Sequence, residues 1–452
     1  MLNYERCRVT NSGESIITIE GEQVVGMGVT SYRSSTLNSA KMIFPTPIQD
    51  ALTTIIGSEC DTRWELVGHT NMEIRGDQIK PGCDIAALGN QTDSILTVDF
   101  GLETIGENCA QGYEIEVDEG QMVINGATLT YGSPFKDIIL IMSACNDIVH
   151  IKKTFKDSSL IDINTGGGND TIIIGVENTG FEDQISSNLV VDAGNGMDYL
   201  LIYDEGSEPK DIDVKFNLLR GLDGADYRNS TNFTDIFYFN VEQFSMNLGT
   251  SDNVVHVSST GQDSTVNITS QGGADFINVT STQGSLNLHT GSGNDNVTVH
   301  TTANFTSLFV DAGDDEDWIQ VYGLGYGADA TVHGGSDNDV LYVDPRSSEG
   351  EGRNKMNGTI LSWDGGHGND GLEMFFVSTG FTNLNVFGDN QDTNEIIVHC
   401  PDVVCTVLSR DTFLANIHDP GNPIGSLERL NIDKASSEIS SLLLFLHEGN
   451  NR

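Results

Sequence analysis

Seven short turns in the middle of the chain combine glycine with a terminal aspartate, a pairing that suits a hard divalent cation. Ca²⁺ takes about six to eight oxygen ligands from carboxylates and backbone carbonyls. Glycine tolerates positive φ and can turn successive carbonyls inward, while the final aspartate adds an anionic oxygen. The turns are Thr165–Asp170, Ala193–Asp198, Ser270–Asp275, Thr290–Asp295, Ala312–Asp317, Gly334–Asp339 and Gly365–Asp370.

We predict that these turns supply calcium ligands. One ion is expected to bridge Asp275 and the carbonyls of the turn before Asp295, because stacked strands lie about 4.8 Å apart. The competing interpretation is a plain Gly-Asn-Asp turn without an ion. The predicted ligands are Asp170, Asp198, Asp275, Asp295, Asp317, Asp339, Asp370, the glycines Gly365, Gly366 and Gly368, and Asp315 and Asp337, which replace a glycine and add a carboxylate.

Strands must position these turns, and the sequence around each turn predicts two of them. Residues two and four places after the aspartate are apolar, which is typical of a half-buried strand. A second apolar run, such as Leu189–Val191 or Leu308–Val310, precedes the turn. The apolar pairs are Ile172/Ile174, Leu200/Ile202, Ile277/Val279, Val297/Val299, Ile319/Val321, Leu341/Val343 and Leu372/Met374.

Four further turns keep the strand pattern with fewer glycines, and we expect them to lack a full ion site. They are Asp147 with Val149/Ile151, Asp235 with Phe237/Phe239, Asn253 with Val255/Val257, and Asn394 with Ile396/Val398.

The spacing of the repeats predicts how they assemble. From Asn253 the turns end 22, 20, 22 and 22 residues apart. Near-constant spacing lets successive repeats stack around a shared core of Ile, Val and Leu. The predicted fold class is therefore all-β, a right-handed parallel β-helix or β-roll solenoid. Longer intervals predict loops at Glu205 to Asn232 and at Pro345 to Gly358.

The rest of the chain predicts three regions. Residues 1–140 form a β-rich N-terminal region with a cap and irregular coils, residues 141–400 form the calcium-binding solenoid, and residues 401–452 form a C-terminal cap. N-terminal strands are expected at Ser94–Phe100, Tyr113–Val117 and Gln121–Ile124. The tail should cover the open end, because unpaired strand edges promote aggregation. Ser437 to Leu446 is expected to be a final strand or a short helix.

One turn resembles a known repeat. Gly365-Gly-His-Gly-Asn-Asp370-Gly-Leu372 is similar to the Gly-Gly-x-Gly-x-Asp-x-apolar nonapeptide of the repeats-in-toxin, or haemolysin-type calcium-binding, family. The likeness covers roughly residues 165 to 375, with weaker matches in the other turns, and it implies a parallel β-roll with Ca²⁺ in its turns. Family repeats carry the motif on both edges, roughly every 18 residues. The wider spacing here predicts a wider coil with one calcium-bearing edge.

Charge and composition exclude several classes of partner. The chain has 66 acidic residues against 22 basic ones, a formal net charge of −44. Such self-repulsion disfavours a compact fold unless cations bind, and it argues against nucleic acid and anionic membranes as partners. No direct membrane insertion is expected, since the late apolar run Leu442 to Leu446 is too short to span a bilayer. A solubility device or a high-salt habitat is the alternative reading of the acidity.

Other features point to an extracellular location. The chain opens without an apolar signal, so we expect it to be a mature fragment of a longer secreted protein. Cys400 and Cys405 enclose a short loop that a disulfide could close, although reduced buried cysteines fit equally well. Asn169 opens a sequon inside a turn, where a glycan conflicts with an ion. N-linked glycans are expected at Asn90, Asn229, Asn232, Asn267, Asn278, Asn296, Asn304 and Asn357.

These features predict a structural or adhesive extracellular rod and not an enzyme. Its expected partners are calcium, N-linked glycans, and other copies of itself or other surface proteins. A carbohydrate-active β-helix of the lyase or epimerase kind is the alternative, although basic residues are scarce in the repeats. A third class is recognition, because outward residues such as Thr298, Trp318 and Tyr322 form a flat ladder that could bind glycan, ice or a neighbouring copy. An ordinary solvated strand face explains the same residues.

Overall fold

The protein is all-β wherever its structure is described. The computed structural model describes residues 95–101, 112–131, 134–154, 160–181, 184–222, 234–344 and 359–374 in full, and further strands by backbone alone. These parts contain 37 strands and no α-helix. No helix that could cross a bilayer is therefore found among the described residues.

The strands are, in chain order, β1 (Ile16–Glu20), β2 (Val29–Arg33), β3 (Ser39–Ile43), β4 (Leu52–Ile56), β5 (Arg63–Val67), β6 (Asn71–Arg75), β7 (Asp84–Leu88), β8 (Ile95–Asp99), β9 (Glu114–Asp118), β10 (Gln121–Ile124), β11 (Ala127–Tyr131), β12 (Asp137–Ile141), β13 (Ile148–Ile151), β14 (Leu160–Asn164), β15 (Thr171–Ile174), β16 (Asn188–Asp192), β17 (Tyr199–Asp204), β18 (Asp211–Lys215), β19 (Leu218–Arg220), β20 (Ile236–Phe239), β21 (Gln243–Leu248), β22 (Val254–Val257), β23 (Thr265–Thr269), β24 (Phe276–Val279), β25 (Ser285–His289), β26 (Asn296–Val299), β27 (Ser307–Asp314), β28 (Trp318–Val321), β29 (Asp329–Ser336), β30 (Val340–Val343), β31 (Thr359–His367), β32 (Gly371–Phe375), β33 (Phe381–Gly388), β34 (Glu395–His399), β35 (Thr406–Leu408), β36 (Leu414–Asn416) and β37 (Leu430–Lys434).

The backbone contacts divide the chain into two compact units. Unit 1 comprises Met1–Tyr203 and Thr234–Val241, and unit 2 comprises Asp204–Phe233 and Glu242–Arg452. The domain boundaries predicted at residues 140 and 400 stay predictions.

Unit 1 contains two sheets in which almost all neighbours are parallel. Sheet 1A has the order β1-β3-β5-β7-β11-β10-β9-β13-β15-β17. Sheet 1B has the order β2-β4-β6-β8-β12-β14-β16-β20. Only β9, β10 and β11 pair antiparallel, and Asn125 and Gly126, both at positive φ, make the tight turn between the last two. The three N-terminal strands predicted from alternation are confirmed as β8, β9 and β10.

Unit 2 repeats the arrangement. Sheet 2A has the order β21-β23-β25-β27-β29-β31-β33-β37, all parallel. Sheet 2B has the order β19-β18-β22-β24-β26-β28-β30-β32-β34, parallel except for β18 and β19. Each repeat therefore adds one strand to each sheet. A separate antiparallel pair joins β35 and β36.

The interval Glu205 to Asn232 is more ordered than the predicted loop. It contains β18 and β19, whose Ile212, Val214 and Leu219 are fully buried. These strands follow from the alternation of apolar and polar residues, and no glycine-rich turn precedes them. The other predicted loop, from Pro345 to Gly358, lies outside the described residues, as do the strand or helix predicted at Ser437 to Leu446 and the turn at Asn394.

The core consists of the inward residues of the paired strands. The apolar pair behind every one of the seven turns is buried, as are the pairs behind Asp147 and Asn253, so these predictions are confirmed. Removing such side chains from water supplies the main drive for folding, about 25 cal/mol per Å² of apolar surface.

The prediction for Asp235 was wrong. Ile236 and Tyr238 are buried in its strand, whereas Phe239 is 41% exposed. Strand β20 pairs with β16, which places Ile236 beside the buried Leu189. A one-residue change of register exchanges the two faces of a strand, and here the pairing partner sets the register.

Candidate metal centre

The turns that end in aspartate, here called the acid turns, each connect a strand of one sheet to a strand of the other sheet in the same unit. In unit 1 they lead from sheet 1B into sheet 1A, as between β14 and β15, and in unit 2 from sheet 2A into sheet 2B, as between β23 and β24. Their terminal aspartates are all buried, with 0 to 3% of each residue exposed. Stacking the repeats therefore removes a row of carboxyl groups from water.

Each terminal carboxyl group ties two repeats together. One oxygen, Oδ1, accepts the backbone N–H of the turn-end residue in the preceding repeat. We call this row the inner ladder. Its unit 1 bonds run from Asp147 N to Asp170 and from Asp170 N to Asp198, both 2.8 Å. Its unit 2 bonds run from Asn253 N to Asp275 (2.7 Å), Asp275 N to Asp295 (2.7 Å), Asp295 N to Asp317 (2.8 Å), Asp317 N to Asp339 (2.9 Å) and Asp339 N to Asp370 (3.1 Å).

A second row of side chains runs in the opposite sense on the exposed side of the turns. The residue before the terminal aspartate accepts, through its own Oδ1, the backbone N–H of its counterpart in the following repeat. Sequence reasoning missed this outer ladder, although Asn or Asp recurs at that position. Its bonds run from Asn169 N to Asn146 (2.8 Å), Met197 N to Asn169 (3.0 Å), Ala274 N to Asp252 (2.8 Å) and Asn369 N to Asn338 (3.0 Å).

Glycine is required because successive acid turns touch through their backbones. At Gly335, where φ is +124°, an added Cβ would lie 1.8 Å from the carbonyl oxygen of Gly313. The predicted ligand Gly366, at φ +87°, faces Gly335 in the same way, and Gly368 faces Asp337. Gly365 instead packs against a carboxylate, since a Cβ added at this position would lie 2.2 Å from Asp370 Oδ2. The acid turns are thus lined closely by carbonyl and carboxylate oxygens.

The second oxygen of the ladder carboxyls is left without a donor. Oδ2 is buried and has no hydrogen-bond partner in Asp170, Asp275, Asp295, Asp317 and Asp339. The hydroxyls of Thr165 and Thr290 donate to the carbonyls of Ala193 and Ala312, and they lie close enough to the carboxyls of Asp170 and Asp295 to lower the pKa of each in part. A buried ionised carboxylate without compensation is strongly disfavoured.

Burial accordingly shifts the acidity of these groups. Loss of hydration, reinforced by neighbouring aspartates, raises the pKa of Asp170 and of Asp295 to about 6. The same causes raise the pKa of Asp275 and of Asp339 to about 7, and that of Asp317 to about 8. Below these pH values a proton neutralises each carboxyl, and a cation beside it would favour the ionised form instead.

One position of the ladder shows what a neutral side chain does there. Asn253 Oδ1 accepts the backbone N–H of Lys210 at 3.2 Å. Its Nδ2 donates to Ser251 O at 2.7 Å and to Ser270 Oγ at 3.3 Å. An amide therefore satisfies both of its atoms in this position. What aspartate offers beyond asparagine is a negative charge.

Lys210, also missed from the sequence, begins the ladder of unit 2. Its ammonium is buried, lies 3.3 Å from Asp204 Oδ1 and donates to Leu222 O at 3.0 Å. Breaking such a buried pair by removing one partner is strongly destabilising, because the other charge stays buried. In this repeat a lysine supplies positive charge beside a buried carboxylate.

The donor set of the acid turns fits a hard cation with mostly carbonyl ligands. Around Gly334, Oδ2 of Asp339 and the carbonyl oxygen of Gly365 lie close together, which is oxygen chemistry of the kind Ca²⁺ prefers. Among the described residues no group of three or more His, Cys, Asp or Glu side chains converges on one point. The added ligands predicted at Asp315 and Asp337 lie on the exposed side, and Asp315 Oδ2 accepts Gly293 N–H at 3.1 Å. Metal ligation by the predicted residues stays a prediction.

The other predicted sites are placed unevenly. Asn304 is exposed, while Asn267, Asn278 and Asn296 are half-buried on strands, so glycosylation stays a prediction at all four. Cys145 takes part in a disulfide. Outside the fully described residues lie Asn90, Asn229, Asn232, Asn357, Cys400 and Cys405.

No protein-family model matches this chain, and no curated protein is significantly similar to it. The likeness to the repeats-in-toxin family therefore rests on the turn sequences and stays a prediction.

Proposed function

We propose that the chain is a calcium-stiffened, right-handed parallel β-helix of the β-roll kind, serving as a structural or adhesive rod at an extracellular surface. The parallel pairing of one strand per repeat in each sheet supports this reading. Such an array is held together by contacts between neighbouring repeats, so anything that ties each repeat to the next stiffens the whole.

The observation that carries the proposal is the row of buried Oδ2 atoms in the inner ladder. Asparagine at position 253 provides the same Oδ1 acceptor and leaves neither side-chain atom without a partner. Aspartate at the other positions therefore adds only charge, and that charge is costly unless a cation lies beside it. A hard divalent ion offsets the charge of two neighbouring carboxylates at once.

Residues of this chain would divide the work as follows. Oδ2 of Asp275, Asp295, Asp317 and Asp339 would hold ions in unit 2, and Asp170 in unit 1, with glycine carbonyls as further ligands. A bound Ca²⁺ supplies positive charge and coordination. The Oδ1 atoms and the outer ladder keep the backbone N–H groups satisfied, so the turns hold their shape around the oxygens.

Two features support an extracellular location. Cys145 is disulfide-bonded, and disulfides persist mainly in oxidising compartments. The sequon at Asn304 lies exposed at a turn, as a glycan acceptor in a secreted protein must. Recurrence of one carboxylate per repeat suits a structural role better than a single catalytic geometry.

The test is a count of bound metal together with thermal melting in excess Ca²⁺ and in chelator. We expect several ions per chain and a large calcium-dependent rise in melting temperature. The double variant Asp295→Asn and Asp317→Asn should lose ions and most of that rise, yet stay folded in chelator because Oδ1 is kept. The matched control, Asp263→Asn, changes an exposed acid at the other edge of the repeats and should change neither quantity.

Wild-type protein that binds no calcium and melts at the same temperature in chelator would refute the proposal. Equal loss of ions in the Asp263 variant would show that the metal is bound non-specifically by surface acid.

A further inference from the structure

The outward side of sheet 2B carries aromatic rings that the proposed function leaves unexplained. Phe276, Asn296 and Trp318 lie side by side in register on β24, β26 and β28. The two rings are 40% and 39% exposed, and they lie on the same face of the sheet. We call these residues, together with Gln320 and Tyr342, the ring face.

The rings are held in place and flanked by hydrogen-bonding groups. Trp318 stacks on Tyr342 with ring centroids 6.5 Å apart and planes 19° from parallel. Thr298 donates to Gln320 Oε1 at 3.2 Å, and Tyr342 donates to Asp344 at 3.1 Å. Asn296 lies between the two exposed rings and is half-buried, with its Oδ1 turned away from solvent. The ring face thus combines flat apolar surfaces with amide and hydroxyl groups.

Charge narrows the class of partner. The outward residues of β24, β26, β28 and β30 are Phe276, Asn278, Asn296, Thr298, Trp318, Gln320, Val340 and Tyr342, none of which is ionised. A chain of net charge −44 repels polyanions. Strand addition is also excluded at β26, because it is already paired with β24 and β28.

An uncharged sugar polymer is a partner class that matches these uncharged aromatic and amide side chains. Faces of aromatic rings pack against the C–H surface of sugar rings, and amides bond to their hydroxyls. Phe276 and Trp318 are two strands apart. At the usual spacing between strands, their backbones are about 9.5 Å from each other. That separation is close to the repeat of an extended β-linked disaccharide, so alternate sugars along one chain would meet the two rings.

We propose that the ring face binds an extended, uncharged β-linked polysaccharide that runs across the strands, from repeat to repeat. This goes beyond the structural role and needs no ion in contact with the sugar. The sequons at Asn278 and Asn296 lie on the same face. The proposal therefore applies to chain without glycans at those two positions.

The experiment uses the full chain, produced without N-glycans, and measures binding of cellohexaose by calorimetry in calcium. The double variant Phe276→Ala and Trp318→Ala should weaken binding by about tenfold or more, the equivalent of about 1.4 kcal/mol. Phe305→Ala is the matched control, since Phe305 is a 74% exposed ring at the other side of the repeats. Its affinity for the sugar should equal that of the wild type, and both variants should melt like the wild type.

Absence of binding to cellohexaose, and to laminarihexaose as a second β-linked probe, would overturn the proposal. So would equal loss in the Phe305 variant, or unchanged binding in the double variant. If sedimentation instead shows a dimer that the double variant abolishes, the ring face is a contact between copies and the sugar proposal is wrong.

Discussion

In unit 2, the acid turns and the turns at the opposite edge of each repeat both supply acceptors for backbone N–H groups, but they use different side chains to do so. At the acid turns, backbone N–H groups are satisfied by buried carboxylates, as when Asp295 donates to Asp317. At the opposite edge they are satisfied by threonine hydroxyls. Thr260 Oγ1 accepts the N–H groups of Gln283 and Gly284 at 2.8 and 3.0 Å, and Thr302 Oγ1 accepts that of Gly325 at 3.0 Å.

The comparison shows that a charge is not needed to build an edge. Thr260 and Thr302 are nearly as buried as the ladder aspartates, and they bond the backbone of the next repeat without any electrostatic cost. The acid edge therefore carries a charge that its backbone does not require. The hydrogen bond that Oδ1 accepts from the backbone is thus distinct from the calcium binding proposed for Oδ2.

The largest effect is expected from crowding an acid turn. Gly335→Ala would place Cβ 1.8 Å from Gly313 O at a φ of +124°. We expect a loss of about 3 kcal/mol in the free energy of unfolding, measured by equilibrium denaturation in calcium. Gly371→Ala is the control, because its nearest neighbour is 3.5 Å away and its φ is ordinary. A control as damaging as Gly335→Ala would show that the close approach of the turns is not the cause.

A collective effect should appear when calcium is removed and the pH is varied. The ladder carboxyls have pKa values of about 6 to 8 when folded, above the value of about 3.9 for free aspartate. With these carboxyls the folded state binds more protons than the unfolded state, so their contribution to stability is fully present below about pH 4 and is lost as pH rises through about 6 to 8. In chelator the melting temperature should drop by a few degrees between pH 5 and pH 8.

The matching variant carries asparagine at Asp275, Asp295, Asp317 and Asp339, and its melting temperature should be nearly flat over the same range. A wild-type profile that is flat or rises with pH in chelator would mean that these carboxyls are not desolvated in the folded protein.

A smaller effect distinguishes the two edges directly. Asp317→Ala leaves the buried N–H of Asp295 without its acceptor, and Thr302→Val does the same to the half-buried N–H of Gly325. Each should cost about 1.5 kcal/mol in chelator. Only Asp317→Ala should also reduce the number of bound calcium ions. An equal loss of calcium from Thr302→Val would remove the distinction between the edges.

The smallest effect is expected at Thr282, whose buried Oγ1 has no hydrogen-bond partner. Thr282→Val removes an unsatisfied hydroxyl at nearly constant volume, so stability should rise by about 0.5 kcal/mol. The same chemical change at Thr302 is destabilising, which makes the pair an internal control. Destabilisation at Thr282 by as much as at Thr302 would contradict the bonding pattern at this edge.

Much of the fold could be read from local pattern, because each strand obeys the same rule. Apolar residues two and four places after the turn predicted the buried pairs, such as Ile277 and Val279. The pattern failed at Asp235, where an equally good run of Phe237 and Phe239 faces the other way. Pairing with β16 decides that register, and a pairing partner 47 residues away leaves no local mark.

The candidate site was predictable in part for the same reason. Residue types identified the acid turns and their terminal aspartates, since glycine and carboxylate recur at fixed positions. Asn253 was recognised as a turn end, but its bond to Lys210 was not, and Asn146 and Lys210 were missed, because these contacts depend on which repeat lies next to them. The difference between Oδ1, which accepts a backbone N–H, and Oδ2, which has no hydrogen-bond partner, likewise arises only when the repeats stack.

By itself, the sequence determined the period of the repeat, the two strands within it and the acidic chemistry of one turn, because these follow from neighbouring residues along the chain. Only the tertiary structure decided which repeats touch and in what register. It is that stacking which withdraws the carboxyl groups from water, raises their pKa values and leaves one oxygen of several of them without a hydrogen-bond partner.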